Sequence, residues 1–223
     1  MASLADRTWP EAEGSAELLV VPVGATEQHG PHLPLSTDTD IAIALAARLA
    51  ARVPGAVIAP AVAYGASGEH QDFAGTLSIG REATEQLLVE LGRSASATFD
   101  RIVFVSTHGG NAEAVAAAVD RLRAEGRTVL AWSPWFDGDA HAGRVETSLM
   151  LALDADRVRE HRAVSGNAAP LTELWPTLRA EGVRAVTASG VLGDPARASA
   201  ADGRRLLDAA ADDLLAMVQA WAR

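Results

Sequence analysis

The chain is expected to fold as an α/β protein, a three-layer αβα sandwich around a mostly parallel sheet. Three observations point there. Short apolar, β-rich runs alternate with Ala/Leu/Arg-rich segments of helical spacing. Glycine and proline punctuate the joins between them. At 223 residues, 48% of them hydrophobic, the chain can bury one large core. No repeat or linker divides it, so residues 1–223 read as a single domain.

Residues 18–22 form an apolar run stopped by Pro and Gly, a buried strand. Residues 40–52 carry apolar positions at helical spacing and end before Pro54-Gly55. Residues 56–62 are a second strand candidate, and the Gly-rich stretch 65–76 is a loop. Residues 82–97 form an amphipathic helix. Arg101-Ile-Val-Phe-Val-Ser106 is the clearest buried strand, followed by a helix over 111–125 and a strand over 128–133. A further helix begins near Glu146. Residues 164–189 break the rhythm, as an active-site flap or an interface element does. Residues 200–223 form a terminal amphipathic helix. In parallel sheets ligands bind beyond the carboxyl ends of the strands, so motifs at strand exits carry most weight.

Composition narrows the chemistry. The formal net charge is -10, which disfavours nucleic acid and anionic membranes as partners. There is no cysteine, hence no thiol nucleophile, disulfide or thiolate ligand. All 19 basic residues are arginine, which excludes lysine Schiff-base chemistry. A metal site must therefore use His nitrogen and Asp/Glu oxygen, a set suited to Zn, Fe(II) or Mn. Residues 1–17 lack the basic and apolar regions of a signal peptide, and no apolar stretch is long enough to span a bilayer. A cytoplasmic protein is expected.

Five of the six histidines lie at glycine-rich strand exits: His29 and His32, His70, His108 and His141. His161 alone sits in an unremarkable polar context. In Glu27-Gln28-His29, an extended segment puts residues i and i+2 on one side, so a carboxylate and an imidazole can reach one metal or two adjacent ones. Asp38 returns after a turn bracketed by Pro31 and Pro34. The competing structural reading makes Asp38 a helix cap, the histidines loop hydrogen-bonders and Glu146 a helix-dipole partner. His108 opens Thr107-His108-Gly109-Gly110-Asn111, which could equally be a tight turn leading into a helix. His141 and Glu146 flank a glycine where a helix begins.

The motifs Glu27-Gln-His-Gly-Pro-His-Leu-Pro-Leu-Ser-Thr-Asp38, Phe73-Ala-Gly-Thr-Leu77, His108-Gly-Gly-Asn111 and His141-Ala-Gly-Arg-Val-Glu-Thr-Ser148 resemble the creatinine amidohydrolase (creatininase) family, in the same order. With the compact length and the tail Ser189-Gly-Val-Leu-Gly-Asp-Pro195, the chain is most similar to the mycofactocin-system members, peptidases that release a C-terminal Val-Tyr dipeptide from a modified precursor peptide. The resemblance implies an αβα sandwich and two divalent ions per subunit (Zn2+, Fe2+ or Mn2+). Glu27, His29, Asp38 and His108 match ligand positions, with Asp38 bridging. Creatinine hydrolases carry a Glu two residues after the histidine matching His108, where this chain has Gly110. That departure makes Glu146 the carboxylate that completes the second ion's shell, and moves the expected substrate from creatinine to a small precursor peptide.

His141 and Glu146 are the expected catalytic groups, with His141 protonating the leaving nitrogen. His32, Ser67, His70, Gly109 and Gly110 are expected to contact substrate. The resemblance also implies a homo-oligomer, with a hexamer as one expected state. Two other readings remain at this point: a hydrolase of a small cyclic amide or formamide, and a non-catalytic, metal-stabilised binding subunit, which a missing ligand would mark.

Overall fold

A computed structural model describes residues 3–13 and 17–221. The β-rich runs become β1 (Leu18–Val23), β2 (Ala56–Ile58), β3 (Arg101–Ser106) and β4 (Val129–Trp132). They form one parallel sheet in the order β2-β1-β3-β4. The second strand is shorter than the expected 56–62. Pro60, which has no N–H to donate, follows it, and pairing resumes only as an isolated bridge between Val62 and Val23.

The helices are α1 (Trp9–Ala12), α2 (Thr37–Ala50), α3 (Arg81–Ala95), α4 (Ala112–Ala124), α5 (Arg144–Asp154), α6 (Leu171–Glu181) and α7 (Ala200–Trp221). Of these, α3 and α4 start and stop within two residues of expectation, and α5 and α7 start within two. The start of α2 differs more: it begins at Thr37, so Asp38 lies in its first turn. The terminal helix is described to Trp221, and its last two expected residues lie outside the described ones.

Strand side chains alternate between two cores, one on each face. Leu18, Val20, Val103 and Val105 pack on α2, α5 and α7 through Leu45, Leu49, Leu149, Met150, Leu207 and Leu214. Leu19, Val21, Val23, Ile102 and Phe104 pack on α3 and α4 through Leu88, Val89, Val115, Val119 and Leu122. The result is the αβα sandwich that the pattern implies, with both faces of the sheet covered. No described helix is long and apolar enough to cross a membrane.

Residues 164–189 do contain an ordered helix. α6 is one-sided: Leu174 and Leu178 are buried with Val183 and Leu192 in a small third cluster, while Leu171 and Trp175 stay exposed. It belongs to neither helical layer and stands over the carboxyl ends of the strands, against the 65–76 loop.

Candidate active site

All the chemistry-bearing loops leave the carboxyl ends of strands. Beyond β1 the chain passes Gly24, where a Cβ would stand 2.5 Å from the backbone of Thr39, so glycine lets this loop lie directly on α2. Buried Asn111 ties three loops together. Its Nδ2 donates to the Gly24 carbonyl at 2.9 Å, and its Oδ1 accepts from the Ala66 N–H at 2.9 Å. The Thr107 hydroxyl donates to the Asp38 carbonyl at 2.7 Å, and the Thr39 hydroxyl to the Ala25 carbonyl at 3.0 Å. The first turn of α2 is thereby clamped to the exits of β1 and β3.

This clamp turns the Asp38 side chain inward. Ser36 occupies the N-cap position, so the helix-cap reading of Asp38 does not hold. Asp38 Oδ1 is 3.2 Å from His29 Nε2, and Oδ2 is 3.4 Å from His108 Nδ1. One carboxylate thus faces two imidazoles from different loops. Glu27 Oε2 lies 3.2 Å from His108 Nε2, and Glu27 Oε1 lies 3.4 Å from His70 Nε2. Glu146, in the first turn of α5, reaches 3.8 Å from His29 Nε2. His141 Nδ1 is 3.9 Å from Glu27 Oε1 and 4.0 Å from Glu146 Oε2. Glu146 also accepts the N–H of Ala142, a residue held at φ 52, so its helix-end role coexists with its place in the cluster.

Two triads share Asp38, namely Glu27–Asp38–His108 and His29–Asp38–Glu146, and a third joins Glu27, His29 and His141. In each, the ligating atoms lie within 4.8 Å of one another. Both oxygens of Glu27 and Oδ2 of Asp38 are buried without a hydrogen-bond partner among the described residues. Unpartnered buried carboxylate oxygens are costly, and a divalent cation is what such a donor set satisfies.

The electrostatics agree. Burial raises Glu27 to about 7, against partial relief from His108. Burial also raises Glu146, against His29. His29 is pulled down by burial, but Asp38, Glu146 and Glu27 outweigh it and lift it to about 10. Burial lowers His141 to about 3, helped by His29, and lowers His70 well below the usual imidazole range, helped by His141 and His108. The carboxylates therefore favour charge on His29 and His108, whereas burial keeps His70 and His141 neutral.

The family model for creatinine amidohydrolase (creatininase) matches residues 5–218. The chain belongs to the creatininase family. A relative from Mycobacterium ulcerans (strain Agy99), named mycofactocin precursor peptide peptidase, is 51% identical over 96% of this chain and 86% of its own length. A solved structure titled "Creatininase Mn" has 28% identity and a TM-score of 0.82, covering 98% of this chain and 97% of that one. A mutant creatininase structure described as "Zn-Zn type" has 27% identity and a TM-score of 0.80, covering 98% of this chain and 97% of that one. This chain is thus a creatininase-family amidohydrolase, and its His/Glu/Asp cluster suits a divalent metal.

In this creatininase-family chain the cluster opens on a cleft of about 850 Å3. Glu27, His70, His108, His141, Gly109 and Gly110 line it, and α6 supplies the far wall through Leu171, Trp175, Leu178 and Arg179. The structure places two expected substrate contacts elsewhere. His32 is buried beneath the cluster, with its Nε2 2.9 Å from the Thr147 hydroxyl. Ser67 is fully buried, with its hydroxyl 3.3 Å from His108 Nε2. Neither lines the cleft. His161, set aside on sequence, is exposed on a surface turn.

Four residues escaped sequence reasoning. In the sequence Asn111 shows only as the end of a turn leading into a helix. Glu69 Oε1 comes within 3.9 Å of both His70 Nε2 and His108 Nε2. A Cβ at Gly110 would meet the Ala66 carbonyl at 2.3 Å and Glu69 Oε1 at 2.6 Å, so this loop arrangement leaves no room for a side chain there. Trp175 lies in a segment without strand or helix rhythm. Gln28 gives no signal because alternation along an extended segment turns it away from Glu27 and His29.

Proposed function

We propose that residues 1–223 act as one metallohydrolase domain that releases a C-terminal Val-Tyr dipeptide from a modified mycofactocin precursor peptide. The observation that carries the two-metal form of this reading is Asp38, whose two oxygens face imidazoles of two different triads. Glu27, Asp38 and His108 would hold one ion and His29, Asp38 and Glu146 the other, as Zn2+, Fe2+ or Mn2+. Bound there, the ions supply Lewis acidity toward the scissile carbonyl and the attacking water.

The chain's own residues do the rest. His141, neutral at pH 7, takes a proton from the attacking water on Nδ1 as the new C–O bond forms. It returns that proton to the leaving nitrogen as the C–N bond breaks. Gly109, with nothing within 4 Å of a would-be Cβ, leaves backbone open to the substrate. Trp175 and Leu171 offer apolar surface to the side chains of the departing dipeptide.

The cleft is far larger than a cyclic amide or formamide needs, which favours a peptide. No expected ligand is missing, which disfavours a non-catalytic binding subunit. A cytoplasmic homo-oligomer, a hexamer among its expected states, completes the proposal. Mass spectrometry of precursor peptide incubated with the protein tests it. Val-Tyr should appear with metal-loaded protein, vanish after chelation and return with Zn2+ or Fe2+. Full release by metal-free protein contradicts the metal reading, and turnover of cyclic amides without dipeptide release contradicts the substrate.

A further inference from the structure

Gln28 stands between two of the cluster's imidazoles, and its amide has one orientation compatible with its backbone neighbours. Its Oε1 lies 2.8 Å from the Gly30 N–H, which can only donate. Its Nε2 lies 3.2 Å from the Gly190 carbonyl, which can only accept. The oxygen therefore faces Gly30 and the NH2 faces Gly190. One N–H goes to Gly190, and the other meets His70 Nδ1 at 2.8 Å. That nitrogen must be the unprotonated one, so neutral His70 carries its proton on Nε2, 3.4 Å from Glu27 Oε1.

His141 is settled in the same way by the main chain of the same residue. Its Nε2 lies 2.8 Å from the Gln28 backbone carbonyl, so Nε2 carries the proton and Nδ1 keeps its lone pair toward Glu27 and Glu146. The 3.1 Å approach of Gln28 Nε2 to His141 Nε2 is then donor beside donor, each with its hydrogens turned to other acceptors. Gly190 is part of the device. At φ 81, a Cβ there would stand 1.9 Å from Gln28 Oε1. Two residues on, Leu192 exchanges backbone hydrogen bonds with His141 at 3.2 and 2.8 Å.

We propose that Gln28 is a positioning residue that makes His70 a hydrogen-bond donor and His141 a hydrogen-bond acceptor in the same cleft. Its side chain sets His70 and its backbone carbonyl sets His141. The two rings, with centroids 4.5 Å apart, then offer opposite polarity to one substrate amide. Nδ1 of His141 accepts the proton of the attacking water, and Nε2–H of His70 donates to the carbonyl oxygen beside Glu27. The roles in turnover rest on the peptidase reading above, whereas the tautomers do not.

Imidazole 15N–1H correlation spectra of zinc-loaded, 15N-histidine-labelled protein test this. His70 and His141 should each be protonated at Nε2 alone. In Gln28→Met, His70 should lose that single pattern while His141 keeps it. Zinc content should be unchanged, and kcat for dipeptide release should fall on the order of 10- to 100-fold, with KM shifted by less than about twofold. Gln28→Glu, of equal length but unable to donate, should move a proton onto His70 Nδ1, and it serves if the methionine variant fails to fold. A wild-type His70 protonated at Nδ1, or a His70 pattern that neither variant alters, overturns the proposal. Wild-type spectra as stated without any dipeptide release uphold the tautomer assignment and overturn the peptidase reading instead.

Discussion

Asp38 joins the two halves of the cluster, because its two oxygens face His29 and His108 separately. Asp38→Asn should therefore lose metal as well as rate. We expect fewer bound ions by elemental analysis and kcat lower by at least about a thousandfold. Unchanged ion content would separate Asp38 from the metals. The same crowding sets a pH dependence for metal-free protein. His29 has a folded pKa of about 10, above its unfolded value of 6.5, so its stabilisation is complete below 6.5 and is lost as pH rises through 10. His141 has a folded pKa of about 3, so its stabilisation is present above 6.5 and is lost as pH falls toward 3, and His70 shifts in the same direction. Glu27, raised to about 7, is stabilising below its unfolded value of 4.5 and loses that contribution as pH rises through 7, which blunts the acid limb. Urea midpoints of chelated protein should peak near pH 7 and fall on both sides. Metal binding displaces the His29 proton and should flatten the alkaline limb. The ring of Glu27, His29, Asp38, His108, His141 and Glu146 was legible in sequence because each stands at a strand exit or in the first turn of the helix that follows one. His32 and Ser67 were misplaced, and Gln28 overlooked, because motif spacing does not say on which side of a loop a side chain lies.

At the scale of elements, α5 presents Glu146, and α7 holds α5 in place. Gly203 of α7 lies so close to the Ser148 carbonyl of α5 that a Cβ would stand 1.8 Å from its oxygen. Gly203→Ala should force the helices apart and destabilise the fold by about 1–3 kcal/mol, read as a lower urea midpoint. An unchanged midpoint would mean that the pair can relax freely. The sheet elements were the most legible, since buried apolar runs between glycines admit few alternatives. The start of α2 was less so, because the polar first turn Thr37-Asp38-Thr39-Asp40 carries no apolar periodicity. α6 was invisible as a helix for a related reason. Pro176 interrupts its pattern, and its partners are loops instead of the sheet. Trp175→Ala, on its cleft-facing wall, should raise KM for the peptide with little effect on kcat, because the proposed pose sets it against departing side chains and not the reacting bond. Steady-state kinetics would show the split, and an equal fall in kcat would contradict it.

The whole molecule joins these parts through one topological fact: four parallel strands deliver their carboxyl ends to the same side. The loops after β1, β3 and β4 converge there, and α6 closes the opposite wall to leave a peptide-sized cleft. The overall charge of -10 includes the carboxylates of that centre, which a bound divalent metal would neutralise in part. Titrating metal-free protein with zinc while recording Val-Tyr release from the precursor peptide tests the account at its centre. Release should stay near baseline through the first equivalent per chain and rise with the second, since the two triads share Asp38 and the proposed reaction needs both filled. Full turnover at one equivalent, or with none, would contradict a two-metal peptidase.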